Sequence, residues 1–311
     1  VKILQLPDLH LTEKTPENRC DDYSETVIKK FEFILKTAEQ HDVEMILQPG
    51  DFTDSPTMSW EFFIRLVALI NHYNIKIYTV HGQHSLRYRN KGNTALDALE
   101  KSCDCLTILE KGNPCIPQSG IQIYGASYGE EIPKRTGGKF SILLIHKMIL
   151  GDKKLWYGQD EDVTWSKNVL RKSNFDLIVS GDNHSQFNIY NSEGRHLFNP
   201  GTLLRDSSDM ISYKPHIFLF DTANSSYKEI MVPIEPYKKV FKIDKITRDK
   251  DRDEEMEAFV EGIKNYRDVG LNFKENLFSY IKKNKVDDDI KDIFKDAFEE
   301  IGRKNNLGDS D

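Results

Sequence analysis

Apolar runs and amphipathic stretches alternate through the first two-thirds of the chain. Residues 1–6 are mostly apolar and read as a strand; they run straight into a polar Asp8-Leu9-His10 segment, unlike a signal peptide. Over 22–40, Val27, Phe31, Ile34 and Ala38 recur at three- and four-residue steps, which predicts an amphipathic helix. Residues 43–47 predict a buried strand, 59–72 a second helix and 75–80 a third strand. This βαβαβ order favours helices layered on a sheet. Strands then dominate, at 106–109, 121–124, 140–145, 177–179, 187–190, 216–220 and 229–232, with a short helix at 162–172. Turn segments such as Asn191-Ser192-Glu193-Gly194 and Thr222-Ala223-Asn224-Ser225 separate them. Many strands with helices outside predict an α/β fold, two sheets packed face to face under helical layers.

The character changes at Pro233 and Pro236, which read as a boundary or hinge. Residues 237–246 read as a short strand-like piece. From Thr247 onward the chain is close to half charged with both signs mixed, and helices are predicted at 253–266, 273–283 and 287–302. In the last, Ile290, Ile293, Phe294, Phe298 and Ile301 form one apolar stripe. The expected organisation is a large domain over 1–232, a small α+β cap over 233–270, a helical region over 271–303 and a disordered tail over 304–311.

At 311 residues the chain can bury a substantial core. No run approaches the roughly 18 unbroken apolar residues of a membrane span, so no membrane association is expected and cytoplasm is the expected compartment. Cys20, Cys103, Cys105 and Cys115 show neither a CxxC nor zinc-finger spacing with histidines, and are expected to be ordinary reduced thiols. The formal net charge of −7 speaks against a nucleic-acid binder that works through its bulk surface. It leaves room for a local basic groove, a cation-filled site, or a partner that makes most phosphate contacts.

Side chains of the metal-binding type fall in one pattern. Asp8 and His10 follow the first predicted strand, and Asp51 follows the second in Gly50-Asp51-Phe52-Thr53-Asp54. Gln83 and His84 follow the third in Gly82-Gln83-His84, His146 ends the strand over 140–145, and Asp182 and His184 follow that over 177–179 in Gly181-Asp182-Asn183-His184. Taken singly, a histidine at a strand end is ordinarily a hydrogen-bonded residue, and an aspartate after glycine a turn or helix cap. Five strands that each deliver such a group at the C-terminal end form a site, because ligands of open α/β sheets gather there. Two cations roughly 3.5–4 Å apart clamp a phosphate and acidify water, which is the chemistry such a set serves.

The order Asp-x-His, Gly-Asp-x-x-Asp, Gly-x-His, a lone His and Gly-x-x-His resembles the calcineurin-like metallophosphoesterases over roughly residues 1–232. The resemblance implies a four-layer αββα sandwich and two metal ions. It implies that Asp8, His10 and His184 hold one metal, that Gln83, His146 and Asp182 hold the second, and that Asp51 bridges them. His84 would contact the substrate phosphate and protonate the leaving oxygen. Gln83 stands where the family carries Asn, and Asp182 where it carries His; both departures fall on the second metal. An aspartate offers a harder oxygen than imidazole nitrogen, which favours manganese or magnesium. Two explanations stay open: a second site retuned for such ions, or one that fills only with substrate.

The run Phe198-Asn199-Pro200-Gly201-Thr202-Leu203-Leu204-Arg205 resembles the Pro-Gly-Ser-x-x-Arg segment of SbcD-type nuclease subunits, as does the strand over 214–221 with Phe218 and Phe220. A charged segment follows where those subunits carry a DNA-contacting cap and helices that dock on an SbcC-type coiled-coil ATPase. The resemblance implies a manganese-dependent DNA nuclease acting in DNA repair or recombination, with Arg205 against DNA and the 290–301 stripe against the ATPase. The alternatives are a stand-alone phosphatase or phosphodiesterase on a small molecule or phosphoprotein, and a weakly active subunit that only positions its partner on DNA. The helical tail would then be a solvated appendage or mediate a homodimer.

Overall fold

The computed structural model describes residues 1–86, 91–118, 120–153, 164–191, 193–265, 273–284 and 286–306. It divides into two compact units, Val1–Phe241 and Lys242–Asp311. In the first unit, β1 (Lys2–Gln5), β2 (Met45–Gln48), β3 (Lys76–Thr79) and β4 (Leu106–Ile108) run parallel. Strands β13 (His216–Asp221) and β14 (Ser226–Met231) extend this sheet antiparallel beyond β1. A second sheet has parallel β6 (Ile121–Ala126), β7 (Phe140–His146), β10 (Leu177–Gly181) and β12 (His196–Asn199). Antiparallel β5 (Cys115–Gln118) and β11 (Phe187–Tyr190) form its edges, and β8 (Ile149–Leu150) pairs with β9 (Thr164–Trp165) alone. The helices of this unit are α1 (Tyr23–Gln40), α2 (Trp60–Tyr73), α3 (Ala95–Ser102), α4 (Ser166–Lys172) and the single turn α5 (Tyr237–Val240).

The two-residue period of the strands sorts their side chains into three cores. Ile3, Met45, Leu47 and Tyr78 of the first sheet meet Ile142, Leu144, Leu177 and Val179 of the second between the sheets, with Phe198, Phe218 and Phe220. The alternate residues Leu4, Ile46 and Ile77 face outward and pack with Phe31, Leu66 and Leu96 of α1, α2 and α3. On the far side Leu143, Ile145 and Ile178 pack with Val169 and Leu170 of α4. Strands covered on both faces read as nearly continuous apolar runs, which is why 43–47 and 140–145 stand out in the sequence. The result is the expected αββα sandwich.

Two of the expected elements differ. Residues 237–246 are helical instead of strand-like: α5 follows Pro236, and α6 (Ile243–Asn265) begins two residues past Phe241. Phe241 itself is buried beside two guanidinium groups, with Arg19 Cζ 5.2 Å and Arg205 Cζ 5.8 Å from its ring centroid. The units part after Phe241, so Pro233 and Pro236 lie inside the first. The described part of the second unit is helical throughout rather than α+β, formed by α6, α7 (Phe273–Lys283) and α8 (Asp288–Asn306). Phe259, Leu277 and Ile290 make its own small core, and Phe294 packs 5.1 Å from Phe259. The predicted stripe on α8 is therefore split: Ile290 and Phe294 turn into the unit, while Ile293 is 43% exposed. The side chains of Phe298 and Ile301 lie outside the described part, as do Asp162, Val163, Tyr266 and 307–311, whereas 304–306 belong to α8. No described helix is long and apolar enough to cross a membrane.

Candidate metal centre

The parallel strands of the two sheets deliver the candidate ligands from their C-terminal ends. Asp8 and His10 follow β1, Asp51 follows β2, Gln83 and His84 follow β3, His146 ends β7, and Asp182 and His184 follow β10. The backbone doubles back at three of them: His10, Asp51 and Asp182 have φ of 45°, 48° and 76°. A non-glycine residue held there costs on the order of 1–3 kcal/mol, so the surroundings must fix it. They do so with backbone bonds. The N–H groups of Leu9 and His10 donate to Asp51 O at 3.1 and 2.9 Å, and that of Asp182 donates to Asp8 Oδ2 at 2.8 Å. The His84 N–H donates to Asp51 Oδ1 at 2.9 Å. The loops approach so closely that a Cβ on Gly82 would collide with Asp51 Oδ1, and one on Gly181 with Asp8 Oδ1.

This packing gathers donor atoms that do not satisfy one another. Asp8, His10 and His184 each bring one ligand atom within 4.8 Å of the others, as do Asp8, Asp51 and His146, and also His10, Asp51 and His84. His10 Nε2 faces His184 Nε2 at 3.2 Å, where at most one proton can lie between two lone pairs. His146 Nε2 lies 3.2 Å from Asp51 Oδ2 without hydrogen-bond alignment, and these two buried atoms and Asp8 Oδ1 have no hydrogen-bond partner. Orphaned buried carboxylate oxygens and imidazole nitrogens that converge are what divalent cations require. The opposite ring edges are already held, as metal-ligating histidines usually are: His10 Nδ1 by Asp54 Oδ1 at 3.2 Å, and His146 Nδ1 by Pro49 O at 2.9 Å. The residues fit a pair of cations.

Gln83 and Asp182 behave differently from the rest. They are bonded to each other, Gln83 Nε2 donating to Asp182 Oδ1 at 3.0 Å, and Asp182 belongs to none of the converging triads. The two positions that depart from the family pattern are thus one contact across two loops. The same amide that holds the carboxylate keeps its own oxygen available.

Burial pushes the Asp8 carboxyl up to about 7. Burial also works against a charged His146, but the carboxylates of Asp51 and Asp8 outweigh it and raise the imidazole to about 9. His10 is raised too, its burial overcome by Asp54, Asp51 and Asp8, whereas burial and the neighbouring His10 lower His184. Between about 7 and 9 the metal-free site therefore carries protons that a cation must displace. Manganese affinity is expected to climb with pH through that window, with proton release, measured by calorimetry in buffers of different ionisation enthalpy. A flat profile would mean that neither Asp8 nor His146 is a ligand.

Two groups were missed in the sequence. Asp54 holds His10 and lies 3.5 Å from His84 Nδ1; it ends the Gly50–Asp54 run, but its role needs the fold. Buried Asn199, at the end of β12, donates to Asn183 O and Ser185 O at 2.6 and 3.0 Å and so sets the loop that carries Asp182 and His184. The expectation for Arg205 is corrected. It is buried, its Nη atoms donate to Ile211 O and Glu235 O at 3.1 and 2.6 Å, and its guanidinium covers Phe241, so it ties the chain together and offers nothing to a substrate.

A four-layer sandwich with imidazoles and carboxylates gathered where its two sheets meet defines a metallophosphoesterase. The chain belongs to the calcineurin-like phosphoesterase family, whose model matches residues 1–186. Similar solved structures include TT1561 of Thermus thermophilus, at 12% identity and a TM-score of 0.47 over 75% of this chain and 99% of that one. A dimetal phosphatase from Danio rerio is 10% identical, with a TM-score of 0.46 over 75% of this chain and 99% of that one. Vps29 from Chaetomium thermophilum is 12% identical, with a TM-score of 0.33 over 76% and 97%. No curated protein matches the chain.

Proposed function

We propose that the chain is a manganese-dependent DNA nuclease, the nuclease subunit of an SbcCD-type complex with a coiled-coil ATPase. The observation that carries this reading is a helical unit with its own core, placed in sequence directly after the phosphoesterase unit, where SbcD-type subunits engage their ATPase. The donor set supports the choice of ion: Asp8, Asp51 and Asp182 give hard oxygens that suit manganese or magnesium.

Asp8, His10 and His184 would hold one cation. Asp51 and His146 would hold the second, joined by Asp182 and Gln83 if their mutual contact opens. Two cations there would supply charge neutralisation for a phosphodiester and acidify an attacking water. Asp51 lies between the two sets, with Oδ2 3.2 Å from His146 Nε2 and 3.9 Å from His10 Nε2. His84 is 45% exposed at the mouth and is placed to hand a proton to the leaving oxygen. A groove of about 380 Å³ opens beside it, lined by His10, Lys14, Tyr23, Asp54 and Asp206, among others; Lys14 is the one cation there that can meet a flanking phosphate, beside two carboxylates.

The purified chain with manganese should hydrolyse both bis(p-nitrophenyl) phosphate and linear duplex DNA. Truncation after Phe241 should keep the first activity and abolish association with the ATPase and ATP-dependent cutting. Hydrolysis of the small diester with no action on DNA, alone or with the ATPase, would sink the nuclease reading and favour a phosphatase or phosphodiesterase.

A further inference from the structure

Helix α4 lies between two open grooves on the outer face of the second sheet. One, of about 590 Å³, is lined by Lys134, Trp165 and Lys172, among others; the other, of about 500 Å³, by Lys167, Arg171 and Tyr190, among others. All four cations are exposed. Among the described residues no carboxylate pairs with Lys134, Lys167 or Lys172, and Arg171 makes a single hydrogen bond, to Asn168 Oδ1 at 3.4 Å. The one described carboxylate that lines either groove, Glu193, is neutralised by Arg195 at 2.6 Å. Helix chemistry explains only part of this. Arg171 and Lys172 in the last turn complement the helix dipole, but Lys167 sits in the first turn, where the dipole opposes a cation, and Lys134 is on another segment.

An aromatic residue lines each groove, half-buried Trp165 in one and Tyr190, 75% exposed, in the other. Lysine and arginine beside an exposed ring such as Tyr190 is the combination that binds nucleic acid, the cations on phosphates and the ring on bases. The chain carries a net charge of −7, so a face with four cations that pair with no carboxylate among the described residues is a local inversion of its field. Helix α4 leads through Ser173 into β10 and so runs back along it; Arg171 and Lys172 therefore lie at the end of the sheet opposite to His146 and Asp182. The length of β10, ~17 Å, separates that end from the metal ligands.

We propose that the α4 face is a second nucleic-acid-binding surface, which holds the phosphate backbone of long DNA at a distance from the metal centre. The inference rests on the nuclease reading. The test is a Lys167→Ala, Arg171→Ala, Lys172→Ala triple variant and, separately, Tyr190→Ala, in the full chain with manganese. Binding of a short phosphorothioate duplex and of its single strand is measured across a salt series, beside hydrolysis of bis(p-nitrophenyl) phosphate. The triple variant should lose about tenfold or more in duplex affinity, and its log–log salt slope should fall by ~0.9 for each phosphate contact removed. Tyr190→Ala should weaken the single strand and leave the salt slope in place. Hydrolysis of the small diester should be unchanged in both. Unchanged DNA affinity and salt slope in both variants would overturn the inference while leaving the nuclease reading intact, and if the triple variant also loses the ATPase, the face belongs to an acidic protein. A parent chain that cleaves the small diester but binds no DNA would overturn both.

Discussion

Asp51→Asn should take the chain from two bound manganese ions to at most one weak one, and its phosphodiester hydrolysis to the level of the metal-free protein. Asparagine keeps the shape, so Oδ1 can still accept the His84 N–H that Asp51 accepts at 2.9 Å. What it removes is the charge that faces both His146 and His10. In the metal-free protein that charge is net favourable, because His146, His10 and His84 hold the Asp51 carboxyl below its ordinary range in spite of its burial. The variant without metal should therefore melt somewhat below the parent at neutral pH. A further difference emerges on adding manganese. A cation at about 100 times its dissociation constant stabilises the fold by about 2.7 kcal/mol per site, and the variant should lose most of that rise in melting temperature. Calorimetric stoichiometry and melting curves at several manganese concentrations check both halves. A variant that binds two ions like the parent would mean that Asp51 bridges nothing.

Much of this centre was legible before the fold because strand ends are marked in sequence by apolar runs. Val43–Leu47 and Phe140–Ile145 are buried on both faces, so their boundaries fall where Asp51 and His146 follow. The helix α3 was also marked, by Thr94 and Asp97 in a capping box, but its eight residues before Cys103 give too short an apolar period to stand out. Strand β12 was hidden for another reason. It begins with His196 and ends with Asn199, and both polar residues are taken up by the fold, the first stacked at 5.8 Å on Phe198 and the second in loop hydrogen bonds. Contacts between loops far apart in sequence were not legible at all. Nothing in the order of residues joins Gln83 to Asp182, or Arg19 and Arg205 to the ring of Phe241. Each departure from the family pattern looked like a separate change to a ligand; in the structure they form one hydrogen bond.

His84→Ala should retain both cations and its affinity for substrate while losing about 10²–10⁴-fold in the rate of hydrolysis, the usual worth of a positioned general acid. Its side chain is 45% exposed, as open as that of His184 at 44% and unlike that of His146 at 0%, so what singles it out is its contact with Asp54. Its Nδ1 edge lies 3.5 Å from Asp54 Oδ1, the same oxygen that holds His10 Nδ1 at 3.2 Å, and the His10 and His84 rings meet edge to face at 4.9 Å. Asp54 thus contacts both His10, a proposed cation ligand, and His84, the proposed acid. That leaves the Nε2 edge of His84 for the leaving oxygen. The loss should depend on that oxygen. An alkoxide leaving from DNA needs the proton, whereas p-nitrophenolate leaves without one, so the deficit should be large on DNA and small on bis(p-nitrophenyl) phosphate. Asp54→Asn should reproduce part of the DNA deficit and also weaken manganese binding through His10, by about 10–100-fold for a group that orients a ligand. Equal deficits on the two substrates with loss of metal from His84→Ala would make His84 a ligand, consistent with its place near His10 and Asp51, and would remove the general acid from the mechanism.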